Sequence, residues 1–182
     1  MDQTQIAQAA LLYFILPLWL AAGFGDYLCH RASAIERTSG YRESLIHLLM
    51  LAEIGVPLLA ALFLEINALI ILLMICGFVV HQATSLWDVT FTIAKREVTP
   101  IEQHVHSFLE MLPLMAIVIV AILHWPQFLA LFGAGPEAAR FSLAWKSDPL
   151  PWSYVSGLLI AVILFEVLPF AEELVRGLRK AS

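Results

Sequence analysis

The sequence predicts an all-α integral membrane protein in which five transmembrane helices pack as an antiparallel bundle. Hydrophobic residues make up 60% of the 182 positions, whereas roughly 45–50% is typical of soluble domains. The charged residues, 14% of the chain, lie mostly in short gaps between long apolar runs, as they do in proteins that cross the membrane several times. Residues 1–182 are therefore expected to form one transmembrane domain without a soluble module.

The five spans follow from the length of the apolar runs. A helix needs about 20 apolar residues to cross the hydrocarbon core of a bilayer. Five windows meet this requirement, at about residues 8–30, 44–64, 68–90, 101–123 and 153–174. The first span is expected to be retained, because residues 1–5 lack the basic segment that begins a signal peptide. Short connections, such as residues 65–67, require neighbouring spans to run in opposite directions.

The basic residues predict the orientation of the bundle, because Lys and Arg that flank spans are retained in the cytoplasm. Only Arg140 and Lys146 fall on one side of the predicted bundle. The other side carries Arg31, Arg37, Arg42, Lys95, Arg96, Arg176, Arg179 and Lys180. We therefore expect the N-terminus outside and the C-terminus in the cytoplasm, with the protein in the cytoplasmic membrane of a prokaryote.

Two segments are expected to shape the bundle without carrying chemistry. The long connection at residues 125–152 contains three tryptophans and several Gly and Pro residues, which predicts an element along the outer interface with a short helix at 128–132. The fifth span is polar only near its cytoplasmic end, at Glu166, Glu172 and Glu173. It is expected to support the other four helices.

Four spans carry a histidine and a carboxylate near the same predicted membrane face. Residues four apart share one face of a helix, and residues seven apart share it over two turns. The pairs are Asp26 with His30, Glu43 with His47, His81 with Asp88, and Glu102 with His106. Because such groups are costly near lipid unless they are paired or coordinated, the pattern predicts a metal site inside the bundle.

Three further residues are candidates for the site. His104 is a possible ligand, although it lies about 200° around a regular helix from His106, so that both bind one metal only if the first turn is irregular. Glu53 and Glu110 lie deeper in their spans, where carboxylates have functional roles. They are predicted to act in catalysis, as proton carriers, as bridging ligands or as partners of ligands.

Several of these residues have a second interpretation. Glu102 fits a helix cap equally well, because Thr99 and Pro100 precede it as they do in a capping box with proline at the first helical position. Glu43 also fits a solvated loop end. Asp26 also fits an ion pair with an arginine of the following loop, although a histidine one turn away favours the ligand.

Charge and ligand type favour two iron ions. Few cations lie near the carboxylates, so two divalent metals would balance about four of them. Histidine and carboxylate together suit iron, and soluble di-iron bundles use a related spacing on facing helices. The expected reaction is the oxidation of a lipophilic substrate that enters from membrane lipid, with electrons from a soluble cytoplasmic donor. The net charge of −5 and the absence of a basic run argue against a nucleic-acid partner.

In this layout the chain resembles the membrane-bound, histidine-rich di-iron fatty acid hydroxylases and desaturases, whose histidine clusters also lie at the cytosolic ends of spans. The resemblance covers about residues 26–110 and implies a hydroxylase or desaturase activity. The chain departs from that class because it lacks the His-x-x-His-His box, and its nearest approach is His104-Val105-His106.

Three other functions remain open at this stage. A zinc-dependent intramembrane lipid hydrolase would use His30, His81 and His106 as ligands and leave one position for water. A haem-binding electron carrier would need only two of the histidines. A metal transporter would need ligands across both leaflets, whereas the outer halves of these spans are almost free of polar groups.

Overall fold

The computed structural model describes residues 1–181, which form helices and connections without a β-strand in that range. The helices are α1 (Gln3–Ala32), α2 (Tyr41–Phe63), α3 (Ala68–Ile93), α4 (Pro100–Leu123), α5 (Trp125–Ala130) and α6 (Trp152–Ala181). All except α5 are long and apolar enough to cross a membrane. The predicted five-span integral membrane protein is confirmed.

The first and last spans are longer than the sequence predicted. Helix α1 begins at Gln3 because Asp2 caps it: the Gln5 amide donates to the Asp2 carboxylate over 2.8 Å, and the Asp2 amide donates back to the Gln5 side chain. Helix α6 continues to Ala181 because its last turns pack against α2 and against the 3₁₀ turn Ile35–Arg37. An Arg176–Glu36 ion pair holds this contact.

Helices α2 and α3 approach each other closely at Gly77. A Cβ atom at this position would lie 2.7 Å from Cγ of Pro57 and 2.9 Å from the carbonyl oxygen of Glu53. Only glycine leaves room for this approach. Helix α1 packs against α4, and α6 packs against α2, so the polar ends of all five spans meet at one end of the bundle.

Two π-helical turns interrupt the long helices, at Leu11–Ile15 in α1 and at Ile163–Val167 in α6. Such turns leave backbone groups unpaired and are common at functional sites. The Tyr154 hydroxyl of α6 donates to the Leu12 carbonyl over 2.7 Å, which ties the two interrupted helices together. The second turn contains the buried Glu166.

The connection between α5 and α6 covers the α2–α3 turn. The Glu65 amide donates to the Ala144 carbonyl over 2.9 Å, and the Lys146 amide donates to the Phe63 carbonyl over 3.0 Å. The short helix predicted at 128–132 is present but begins earlier, as α5 at Trp125.

Candidate metal centre

Nine polar side chains meet at one end of the bundle, between α1, α2, α3, α4, α6 and the α3–α4 loop. We refer to them as the cluster: Asp26, His30, Glu43, His47, Asp88, Arg96, Glu102, His106 and Glu173. Four of them, at positions 30, 43, 102 and 173, are fully inaccessible to solvent. Burial of so many ionisable groups is favourable only if they are paired or coordinated.

Glu173 holds two imidazole rings from different helices. Its carboxylate oxygens lie 3.1 Å from Nδ1 of His30 and 2.9 Å from Nδ1 of His47. A carboxylate only accepts hydrogen bonds, so each Nδ1 must carry the proton. In neutral rings the lone pair is then on Nε2, the arrangement in which carboxylates orient metal-binding histidines.

The two Nε2 atoms point into the cluster, towards further acceptors. His30 Nε2 lies 3.4 Å from Asp26 Oδ1 and 3.6 Å from Glu102 Oε1. His47 Nε2 lies 3.5 Å from Asp88 Oδ1. Within residues 1–181, both Nε2 atoms and both aspartate oxygens are buried without a hydrogen bond of acceptable geometry. If both rings are neutral, these atoms are acceptors that face each other, and a cation bound between them would satisfy them.

His106 completes one side of the cluster. Its Nε2 lies 2.9 Å from Asp26 Oδ1. Its ring is inclined at 67° to that of His30, with 6.4 Å between centroids. Asp26 therefore lies between the imidazoles of His30 and His106. The alternative prediction, an ion pair between Asp26 and an arginine of the following loop, was wrong.

Arg96 neutralises two of the carboxylates. Its Nη2 atom donates to Glu43 over 2.6 Å and to Glu102 over 2.5 Å, and only 4% of its side chain is exposed. Burial disfavours the charged guanidinium, but the hydrogen bonds to Glu102 and Glu43 outweigh this effect and raise the pKa of Arg96 above its ordinary value. Arg96 is therefore a permanent positive charge at the rim of the cluster.

Two groups of side chains present ligand atoms close enough to surround a metal. Asp26, His30, Glu102 and His106 form one, and His30, Glu43 and His47 form the other; in each, all ligand atoms lie within 4.8 Å of one another. Metal bonds of about 2.0–2.2 Å to nitrogen and oxygen place ligand atoms at such separations. The two groups share His30, and Asp88 lies beside the second group, 3.5 Å from His47 Nε2.

The formal charges fit two divalent ions. The cluster contains five carboxylates and one guanidinium, which leaves four negative charges when the histidines are neutral. The sequence predicted the same balance from a different set of residues, because it included neither Glu173 nor Arg96. Two divalent cations would make the buried centre neutral.

Two predicted metal ligands lie outside the cluster. His104 is exposed and packs edge-on against Phe108, so the first turn of α4 is regular and does not bring it to the cluster. His81 lies two turns deeper than Asp88 on α3, and its Nδ1 is 3.8 Å from Glu53. Neither histidine belongs to a ligand group, and the zinc site predicted from His30, His81 and His106 is not assembled.

The two predicted catalytic glutamates form a second polar layer deeper in the bundle. Glu53 accepts a hydrogen bond from Thr84 over 2.7 Å. Glu110 accepts one from Ser85 over 3.2 Å. Glu53 thus links α2 to α3, and Glu110 links α4 to α3. Their role in proton transfer stays a prediction.

The structure bears on the second interpretations that the sequence left open for Glu102 and Glu43. Glu102 forms the predicted capping box with Thr99 and also lies in the cluster, and its role as a metal ligand stays a prediction. Glu43 is completely buried, so it is not a solvated loop end. The expectation that the fifth span carries no site residue was wrong, because Glu173 of α6 lies at the centre of the cluster.

An apolar cavity of about 120 Å³ adjoins the cluster. Asp26, His47 and His81 contribute polar atoms to its lining, and most of the remainder is formed by apolar side chains of α1, α2, α4 and α6. Glu166, from the π-helical turn of α6, also faces this cavity and is 7% exposed. Its Oε1 atom has no hydrogen bond within residues 1–181, so a carboxyl group is held unpaired beside the cluster.

No protein family matches this chain, and neither does any curated protein or solved structure.

Proposed function

We propose that this protein is a membrane-embedded metalloenzyme that uses two iron ions to oxidise a lipophilic substrate near the cytoplasmic face. The observation that supports this proposal best is the pair of histidines on Glu173. Both Nδ1 atoms are engaged by one carboxylate, which leaves both Nε2 atoms directed at buried carboxylates. Mixed imidazole and carboxylate ligands suit iron.

The side chains divide into two ligand sets. One ion would be held by Asp26, His30 and His106, with Glu102 alongside. The other would be held by His47, Glu43 and Asp88. Arg96, bonded to Glu43 and Glu102, would fix the two glutamates and balance their charge.

The bound iron would supply the capacity to activate dioxygen. In a hydroxylation, one oxygen atom enters a C–H bond and the other leaves as water, with two electrons and two protons supplied by a soluble reduced donor and by solvent. The chain itself provides an apolar cavity that excludes water from the substrate. Glu166 lies at the wall of this cavity and would carry a proton there.

A mononuclear zinc hydrolase is the second candidate. It is favoured by the compact group of Asp26, His30, Glu102 and His106, of which three side chains would hold the zinc and leave the fourth position to a water. A haem carrier is less compatible, because the His30 and His47 rings stack side by side, 4.3 Å apart, and leave no space for a porphyrin between them.

Metal analysis combined with absorption spectroscopy on detergent-purified protein tests the proposal. We expect about two irons per chain and no Soret band. About one zinc per chain would support the hydrolase instead. Metal-free protein that binds neither iron nor zinc on reconstitution would overturn both. His47→Ala should lower the iron content, and His124→Ala, outside the cluster, should leave it unchanged.

A further inference from the structure

The carboxyl group of Glu166 is built into the wall of the apolar cavity beside the cluster. It belongs to the π-helical turn Ile163–Val167 of α6, and it is buried on the side of this helix that also buries Glu173 two turns later. Gly23 of α1 makes room for it, because a Cβ atom there would overlap both carboxyl oxygens. Helices α1 and α6 are therefore shaped to hold this side chain inside the bundle.

Within residues 1–181, this carboxyl group has no partner of its own. The Oε1 atom of Glu166 is buried without a hydrogen bond, and only 7% of the residue is exposed. The charged side chain that acts on it is Asp26, which is also an acid. Glu173 differs, because His30 and His47 occupy its two oxygens. A buried carboxyl group without a partner is costly, so a molecule in the cavity that bonds to Glu166 would be stabilised there.

The walls and the volume of the cavity favour a small molecule with an apolar body. Leu20, Leu51, Leu109 and Leu158, from four different helices, contribute to the walls. Apolar surface of this kind favours an apolar ligand over water. Since a cavity of about 150 Å³ holds benzene, the volume of about 120 Å³ admits roughly six non-hydrogen atoms.

A hydroxyl group suits Glu166 better than other polar groups do. A carboxyl group only accepts hydrogen bonds when it is ionised, and it both donates and accepts when it is protonated. A hydroxyl group donates and accepts, so it bonds to Glu166 in either form, whereas a carbonyl oxygen only accepts and bonds to the protonated form alone. An ammonium group would have to give up its hydration inside an apolar cavity.

We propose that this cavity binds a small lipophilic alcohol, with its hydroxyl group hydrogen-bonded to Glu166 and its hydrocarbon body against the leucines. The hydroxyl end then lies on the side of Asp26, next to the cluster. An alcohol is therefore the class of substrate that the cavity presents to the metal centre. This last step rests on the function proposed above, whereas the binding itself does not.

Fluorine NMR on the protein in nanodiscs provides the test. The probes are three molecules of equal size with fluorine at one end: fluorobutanol, fluoropentane, which has a methyl group in place of the hydroxyl, and fluorobutylamine, which has an ammonium group there. Empty nanodiscs correct for the partition of each probe into lipid. We expect fluorobutanol to bind about tenfold more tightly than either of the other two, because only its hydroxyl satisfies the buried carboxyl group.

Substitutions of Glu166 separate hydrogen bonding from charge. Glu166→Leu should weaken fluorobutanol binding about tenfold and leave fluoropentane binding unchanged. Glu166→Gln should retain fluorobutanol, because an amide also donates and accepts. Glu172→Leu removes an exposed carboxylate from the same helix, and it should change neither affinity.

Gly55 allows the cavity to be filled. It lines this cavity, and a Cβ there would meet no atom within 4 Å. Gly55→Leu should abolish the binding of fluorobutanol and of fluoropentane, whereas Gly157→Leu, equally unobstructed but outside the cavity lining, should not. Should Gly55→Leu fail to fold, Leu51→Trp fills the same cavity from α2 instead.

Three results would overturn the proposal: equal binding of fluorobutanol to the unaltered protein and to Glu166→Leu, a preference for fluorobutylamine that Glu166→Gln removes, or binding that the cavity-filling variants leave unchanged. Metal content, measured on the same samples, is independent of these results. Protein without iron that still shows the expected binding profile would refute the proposed function alone. Protein with two irons and no such profile would refute the alcohol alone.

Discussion

The imidazole rings of His30 and His47 lie nearly parallel, with centroids 4.3 Å apart and 10° between their planes. They come from α1 and α2, and one carboxylate on α6 holds both through Nδ1. Two imidazolium ions at this separation would repel each other, whereas two neutral rings are free to bind metal through Nε2. The stack is therefore compatible with the proposal that both rings are neutral ligands.

Glu173→Gln should weaken metal binding without removing a ligand. An amide has one carbonyl oxygen to accept a hydrogen bond, so it cannot fix both Nδ1–H groups as the carboxylate does. Loss of such a partner typically costs about 10–100-fold in metal affinity. Titration of metal-free protein with Fe²⁺ measures the effect.

Glu172→Gln is the matched control for this substitution. Glu172 is the preceding residue, and it pairs with Arg31 over 3.0 Å at the protein surface. Its loss should leave metal affinity unchanged. Equal affinities for the Glu173→Gln variant and the unaltered protein would show that Glu173 does not orient the two histidines.

The spans and the acid–histidine pairs were predictable because both follow from helix geometry. Apolar run length fixes a span, and a four-residue spacing fixes a shared face. Asp26, His30, Glu43 and His47 are therefore placed as the sequence predicted, and so is His106. The boundaries were less predictable, because capping by Asp2 and packing of the last turns of α6 extend beyond the apolar runs.

The centre of the cluster was not predictable from spacing. Glu173 is separated from His30 by 143 positions, and no local pattern shows which way the end of α6 faces. Arg96 lies in a loop, where a basic residue next to a span is ordinarily solvated, yet it is drawn inward by Glu43 and Glu102. The sequence offered one signal for Glu173. It stands next to Glu172 at the end of an apolar segment, and carboxylates within membrane spans are seldom without a role.

Gly23→Ala should destabilise the protein through a clash with Glu166. A Cβ at Gly23 would overlap the Glu166 carboxylate, which is the end of a flexible side chain and can move aside, so the loss should lie near the lower end of the usual overpacking cost of about 1–3 kcal/mol. Glu166→Ala should remove most of that cost, which gives a positive coupling in a double-mutant cycle. Thermal unfolding in detergent measures all three variants.

Gly25→Ala is the control for this cycle. It lies on the same helix, and its Cβ would meet Val105 at an ordinary contact distance of 3.9 Å. This substitution should not destabilise the fold. Additive effects of Gly23→Ala and Glu166→Ala would mean that Glu166 does not occupy the position in the cavity wall described above.

Gly77→Ala should separate α2 from α3. The added methyl group would press on Pro57 and on the Glu53 carbonyl, so we expect a loss of about 1–3 kcal/mol. Gly157→Ala, where a Cβ meets open space, should instead stabilise its helix by about 0.5–1 kcal/mol. Equal unfolding temperatures for the two variants would contradict the close approach.

Arg96→Gln should destabilise the metal-free protein strongly. It leaves Glu43 and Glu102 buried without their cation, and breaking a buried ion pair in this way costs about 3–5 kcal/mol. Because the pKa of Arg96 is raised, its contribution is present below the pKa of the unfolded chain and is lost only as pH rises through the higher folded value. A change of pH within the neutral range therefore leaves the charge of Arg96 in place, and only the substitution removes it.

Metal should restore part of this loss, because divalent ions bound by Glu43 and Glu102 supply the missing positive charge. Unfolding temperatures are compared with and without Fe²⁺ for Arg96→Gln and for Lys95→Gln, the neighbouring cation that is exposed over Phe91. We expect a larger metal-induced rise in Arg96→Gln than in Lys95→Gln. Equal rises would mean that the metal does not bind next to the two glutamates, and that the guanidinium stabilises a polar core unrelated to metal.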